Sequence, residues 1–91
     1  MLHRGRYSFF HRLMFWTEYG DKNHPPSIHK AKISGRRKKR LMSTGLFWPN
    51  ALTTQGEELY VGDGAGRVFI MDFHGKPSRI DSHKRFRKNA F

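Results

Sequence analysis

The side chains that could do chemistry are few, and their spacing is wrong for it. The six histidines are His3, His11, His24, His29, His74 and His83. No two stand in a His-Glu-x-x-His frame or at i, i+4 on a helix-like stretch, so they form no zinc-ligand pattern. There is no cysteine, which excludes thiol catalysis, disulfides and thiolate metal sites. Glu18 and Asp63 lie 45 positions apart in matching contexts. They read as equivalent residues of two units, each accepting backbone N–H bonds in the neighbouring turn or blade, not as a catalytic pair. Gly62-Asp63-Gly64-Ala65-Gly66 has the composition of a phosphate cradle. It lacks the full nucleotide-binding pattern, and the residues after it read as a strand where an anion site needs a helix N-terminus. A hairpin turn is expected there. No serine sits in a strand-to-helix elbow. The expectation is a non-enzymatic chain with no catalytic residue, no metal and no cofactor.

Charge is the other chemical asset. Eighteen Lys and Arg against seven Asp and Glu give a formal charge of +11 over 91 residues. Residues 28–40 carry a net +7 and residues 76–91 a net +5, flanking a Gly-rich middle (41–75) of net −3. Arg36-Arg37-Lys38-Lys39-Arg40 is the densest run. It reads either as a solvated turn or as a patch for nucleic acid or heparin-like polyanions, whose binding would weaken with salt.

The elements that must position these groups are short. Gly and Pro punctuate the chain, and no segment carries a sustained helical stripe. Strand-forming runs are Leu13–Tyr19, Ile28–Ile33, Arg40–Ser43, Ala51–Thr54, Glu58–Val61, Arg67–Phe73 and Ser78–Asp81. Turns fall at Asp21 to Ser27, Ser34-Gly35, Gly45 to Pro49, Gln55-Gly56-Glu57, Gly62 to Gly66 and His74-Gly75. The fold class is all-β, a meander of short hairpins, with sandwich-like packing as the alternative. Residues 1–12 mix His, Arg and aromatics without a period and are expected to be irregular or a frayed strand. Residues 82–91 are expected to be a loose basic tail. No apolar stretch reaches membrane-spanning length. No signal peptide or membrane anchor is read, because Arg12 interrupts the early apolar run and no small-residue cleavage site follows.

Self-similarity organises residues 13–81. Leu13–Glu18 aligns with Glu58–Asp63 at an offset of 45, and Ile28–Gly35 aligns with Val68–Gly75 at an offset of 40. Each unit has an aromatic-x-x-acid strand, a turn, an alternating strand, a glycine turn and a basic outer strand. A period near 40 with about four short strands fits a propeller blade, which cannot bury both faces of its sheet by itself. Trp16 and Trp48 are the expected packing pair between blades. Asn50, after Pro49, is expected to satisfy turn backbone groups through its side chain.

Phe15-Trp16-Thr17-Glu18 resembles the Tyr-Trp-Thr-Asp motif of low-density lipoprotein receptor type β-propellers. Ile28 to Gly35 is similar to that repeat's strand and Asp-Gly turn. Trp48-Pro49-Asn50 is similar to the passage into the next blade, and Tyr60 and Asp63 to the following motif. Gly35 and Gly75 fall on the turn glycines. The resemblance implies one to two incomplete four-stranded antiparallel blades within residues 13–81. It also implies an extracellular or cell-surface setting, and partners that are a protein ligand or neighbouring blades. Exposed edges imply self-association, and marginal stability.

Overall fold

The computed structural model describes residues 4–81, as eight strands joined by turns and, among these residues, no helix. The strands are β1 (Arg4–Phe10), β2 (Leu13–Glu18), β3 (Ser27–Lys32), β4 (Lys39–Met42), β5 (Pro49–Gln55), β6 (Glu58–Asp63), β7 (Val68–Asp72) and β8 (Pro77–Asp81). They form two four-stranded antiparallel meanders, β1-β2-β3-β4 and β5-β6-β7-β8. Pro49 and Pro77 each open a strand, where a missing N–H disturbs the ladder least.

The two sheets are structural repeats in register as well as in sequence. Thr17 stands opposite Ile28 as Gly62 stands opposite Val68. Trp16 stands opposite Tyr7 as Val61 stands opposite Leu52. His29 stands opposite Arg40 as Phe69 stands opposite Ile80. The first strands correspond too, since Arg4 faces Glu18 and Pro49 faces Asp63.

Of the two expectations for the N-terminal segment, irregular or a frayed strand, the structure shows the strand. Residues 4–10 form β1, a full member of the first sheet. Its local pattern is weak because His3-Arg4-Gly5 stands where the second unit has Trp48-Pro49-Asn50. Cross-strand pairing supplies the missing specification: Tyr7 meets Trp16 and Phe9 meets Met14, and such pairs are the unit of sheet stabilisation. The expected basic tail, 82–91, lies outside the described residues.

Strand side chains alternate between faces, and the sheets use opposite faces to meet. The first sheet contributes Phe15 and Ile28, both fully buried, with Phe10 beside them. The second contributes Leu52, Leu59, Val61, Phe69 and Met71. By the repeat alignment Phe15 corresponds to Tyr60, which points away from this core, while Val61 corresponds to Trp16, which also points away. The unlike faces of two like sheets are in contact. Phe73 closes the seam, its ring 4.7 Å from Phe15 and 5.0 Å from Phe10.

The layers form a wedge. β1 lies along β5, where Arg6 Nε donates to the Asn50 carbonyl at 3.1 Å. At the other side, β4 stands off from β7 and β8 across a groove of about 400 Å³ lined by Leu41, Met42, Phe69, Met71, Pro77 and Ile80. The β7–β8 turn reaches β4 at Gly75, whose φ is +86° and where a Cβ would lie 2.7 Å from the Leu41 carbonyl oxygen.

Candidate binding surfaces

Alternating strand directions sort the loops to two ends. The β2–β3, β4–β5 and β6–β7 connections share one end, and the β3–β4 and β7–β8 turns share the other. The first end is aromatic and the second is basic.

The aromatic end is built on Asp63, at the end of β6 with its side chain fully buried. Its Oδ2 accepts from Arg67 Nη2 at 2.6 Å, from Arg67 Nε at 3.1 Å and from the Phe47 N–H at 3.2 Å. Its Oδ1 accepts from the Ala65 and Arg67 backbone N–H groups at 3.1 and 3.2 Å. Arg67 also donates to the Gly45 carbonyl at 2.8 Å. The Gly64 N–H donates to the Phe47 and Trp48 carbonyls at 2.6 and 3.0 Å. One carboxylate therefore ties the β6–β7 turn to the β4–β5 loop.

What that loop presents is apolar. Phe47 is 60% exposed and Trp48 is 57% exposed. Trp48 holds φ at +53°, a conformation that costs a bulky residue roughly 1–3 kcal/mol and that collects at functional sites. Its indole stacks on Tyr19 at 5.3 Å. Exposed, loop-borne aromatics held rigidly from below have the make-up of a protein-binding hot spot.

Glu18, the counterpart of Asp63, has a different neighbourhood. Ser27 occupies the position equivalent to Arg67, so the cation is missing. Glu18 Oε2 accepts from Trp16 Nε1 at 3.0 Å, and His29 Nε2 lies 3.4 Å from Oε1. Oε1, although buried, accepts no hydrogen bond among the described residues. Backbone capping by an acid, expected at both positions, is thus found at Asp63; Glu18 binds an indole. Thr17 Oγ1 accepts from the Arg6 N–H at 2.8 Å.

The expected Trp16 and Trp48 pair does not form. Trp16 is 3% exposed, with Tyr7 at 6.4 Å and His29 at 5.4 Å beside it in its own sheet. Its position in β2 sends it to the face opposite Phe15, so the aromatic between the sheets is Phe15. Trp48 lies in the loop at the strand end. Asn50 is exposed and takes part through its backbone carbonyl to Arg6; the turn-capping side chain is Asp63. Pro49 is fully buried. Tyr60 is half-buried on the outer face of the second sheet. Gly35, φ +88°, makes the β3–β4 turn with nothing near its Cβ position.

At the basic end, Arg36, Arg37, Lys38, Lys39 and Arg40 are all exposed. Arg37 and Lys39 line one groove with Lys30, Lys32 and Leu13, about 250 Å³ in volume. Burial first, and then the Lys39 charge, hold the Lys30 ammonium below the usual lysine range. Its Nζ donates to the Phe73 carbonyl. Lys30 and Lys32 belong to the basic 28–40 block but lie on an alternating strand, outside the Arg36–Arg40 run. Tyr19, Phe47 and Arg67 escaped the sequence reading because their importance rests on contacts between loops.

No known family model matches the chain. It is 34% identical over 74 residues to the vitellogenin receptor Yl of Drosophila melanogaster, a match covering 66% of this chain and 4% of that receptor. The chain thus spans a small fraction of the receptor it is similar to. The likeness suggests repeats of low-density lipoprotein receptor type. Among the described residues no helix is long and apolar enough to cross a membrane.

Proposed function

We propose that this chain is a non-enzymatic, protein-binding segment of a cell-surface or extracellular receptor, formed as two blades of a YWTD-type β-propeller. The observation that carries this reading is the stacking of two repeat-related sheets, unlike face on unlike face, in a wedge. The similarity to a vitellogenin receptor agrees with it and suggests a lipoprotein of the vitellogenin class as the ligand. Trp48, stacked on Tyr19, and Phe47, whose N–H is held by Asp63, are the contact surface. The test is binding of purified vitellogenin to the immobilised chain, with Phe47→Ala and Trp48→Ala variants whose circular dichroism matches the parent. Saturable binding that weakens tenfold or more in each variant is expected. Absence of binding, or binding indifferent to both substitutions, contradicts the assignment.

A second reading concerns the basic end. Four cationic side chains, Lys30, Lys32, Arg37 and Lys39, border one groove, which favours a polyanion of the heparin type. Retention on heparin should fall steeply with salt and drop in an Arg37→Glu, Lys39→Glu double variant. Equal retention of parent and variant contradicts it.

A further inference from the structure

The basic run Arg36–Arg40 stands where the two repeat units differ most. In the second unit β8 joins β7 at Pro77, which pairs with Met71. The repeat equivalents, Arg37 and Ala31, do not pair, and β4 joins β3 only from Lys39. In the β7–β8 turn the Asp72 carboxylate accepts from the His74 and Lys76 N–H groups at 2.8 and 2.9 Å. Lys32 stands in its place in the first unit, so that cap is missing. Among the described residues, backbone bonding of the β3–β4 turn ends at the Arg36 carbonyl, which accepts from the Lys32 N–H at 2.8 Å. Arg37 then holds φ at +59°, a left-handed conformation that strains a residue with a Cβ.

Residues 32–40 are exposed without a break. Arg36–Arg40 make no ion pair among the described residues, whereas Arg67 is locked on Asp63. β4 itself is loosely held. It is four residues long, lies at the edge of its sheet, pairs with β3 at three positions and is broken by a register shift. The groove of about 400 Å³ separates it from β7 and β8. A short edge strand with little packed beneath it is the kind of element that opens locally. The run lies in mid-chain, at the turn end of its sheet and not on a sheet face, so a further blade stacked on either face leaves it open.

We propose that this segment is an endoproteolytic processing site, cut between Arg40 and Leu41 by a serine endoprotease specific for paired basic residues. Arg37-Lys38-Lys39-Arg40 puts four positive charges on four consecutive residues, with no carboxylate anywhere in 28–40. A cleft lined with carboxylates recognises such a run by charge. Arginines at its first and fourth positions add two planar guanidinium forks for bidentate pairing. Nowhere else in the 91 residues do two arginines stand three apart. A peptide held in an extended cleft pairs as an added strand. β4 is extended already, with its outer edge unpaired among the described residues, and extending Arg37 relieves its strain. Hydrolysis adds one water across the peptide bond: the C–N bond breaks, Arg40 gains a carboxylate and Leu41 an ammonium group. The polyanion groove is lined by Lys30, Lys32, Arg37 and Lys39, whereas the cut is decided at Arg40, so the two properties are separable. This goes beyond the ligand assignment and does not depend on it.

The test is incubation of the folded 91-residue chain with a purified subtilisin-type endoprotease that requires Arg at the first and fourth residues before the cut. Intact mass and N-terminal sequencing read the products. One cut is expected, giving pieces 1–40 and 41–91 with Leu41 as the new N-terminus. Arg40→Ala should abolish it, and Arg37→Ala should slow it by about tenfold or more. Near-ultraviolet circular dichroism checks that each variant folds like the parent, and Arg40→Lys replaces Arg40→Ala if that variant does not fold. A free peptide of residues 33–45 sets the rate of an unhindered site. The folded chain should be cut at no less than about one hundredth of that rate, the mark of a strand that opens locally. An uncut parent overturns the proposal. So does a first cut at any other bond, a rate below that limit, or unchanged cutting when Arg40 is replaced.

Discussion

Asp63 is the residue on which most of the polar structure turns. Five hydrogen bonds converge on a carboxylate with no exposed surface. Asp63→Ala would strand the Arg67 guanidinium and three backbone N–H groups, costing about 3 kcal/mol. Urea unfolding followed by tryptophan fluorescence measures that cost, and the Trp48 signal should change in the folded baseline as its loop is released. Two other aspartates contribute to the acid limb of stability. The His24 side chain first, and then the Asn23 N–H, hold the Asp21 carboxyl below its usual value of 3.8. The Lys76 and His74 N–H groups do the same for Asp72. Both folded-state values lie below the unfolded ones, so their stabilisation is present above pH 3.8 and is lost as pH falls through the folded values. Carboxyl chemical shifts followed down from neutral pH should titrate late for both residues. Gly5 marks a close approach that its sequence context hides. A Cβ there would overlap Thr17 Oγ1 and lie 2.8 Å from the Tyr19 ring, so Gly5→Ala should cost roughly 1–3 kcal/mol.

At the scale of the strand, what could be read from sequence was what local pattern encodes. Val68 to Asp72 alternates between a core face and an outer face, and Gly66 and Gly75 bracket it at positive φ. Phe15-Trp16-Thr17-Glu18 declared a strand by composition. β1 was not legible because its specification is non-local: His3, Arg4 and Gly5 replace the Trp-Pro-Asn residues that make the β5 entry recognisable, and only pairing with β2 fixes it. The site was legible in the same measure. Asp63 and Trp48 stood out as motif residues, but the role expected of Asn50 belongs to Asp63, and Phe47 and Tyr19 gain meaning only when three loops meet. The outcome separates buried from presented aromatics. Phe15→Ala empties the centre of the seam and should cost roughly 3–5 kcal/mol. Trp48→Ala removes an exposed ring and should cost about 1 kcal/mol at most, its stacking on Tyr19. Parallel thermal melts of the two variants decide whether motif position or burial governs stability.

For the molecule as a whole, the core comes from one repeat covering another. Heparin binding at the basic groove should fall as salt rises. The claim beneath all of this is that the two sheets meet through unlike faces. Nuclear Overhauser contacts in a dilute, monomeric sample test it directly. Phe15 and Ile28 should show cross-peaks to Leu52, Val61, Met71 and Phe73, while Trp16 shows them to Tyr7 and His29 and not to the second sheet. Cross-peaks from Trp16 to Val61 or Leu59, or from Phe15 to Tyr60, would mean that the sheets are joined some other way, and the account would fall.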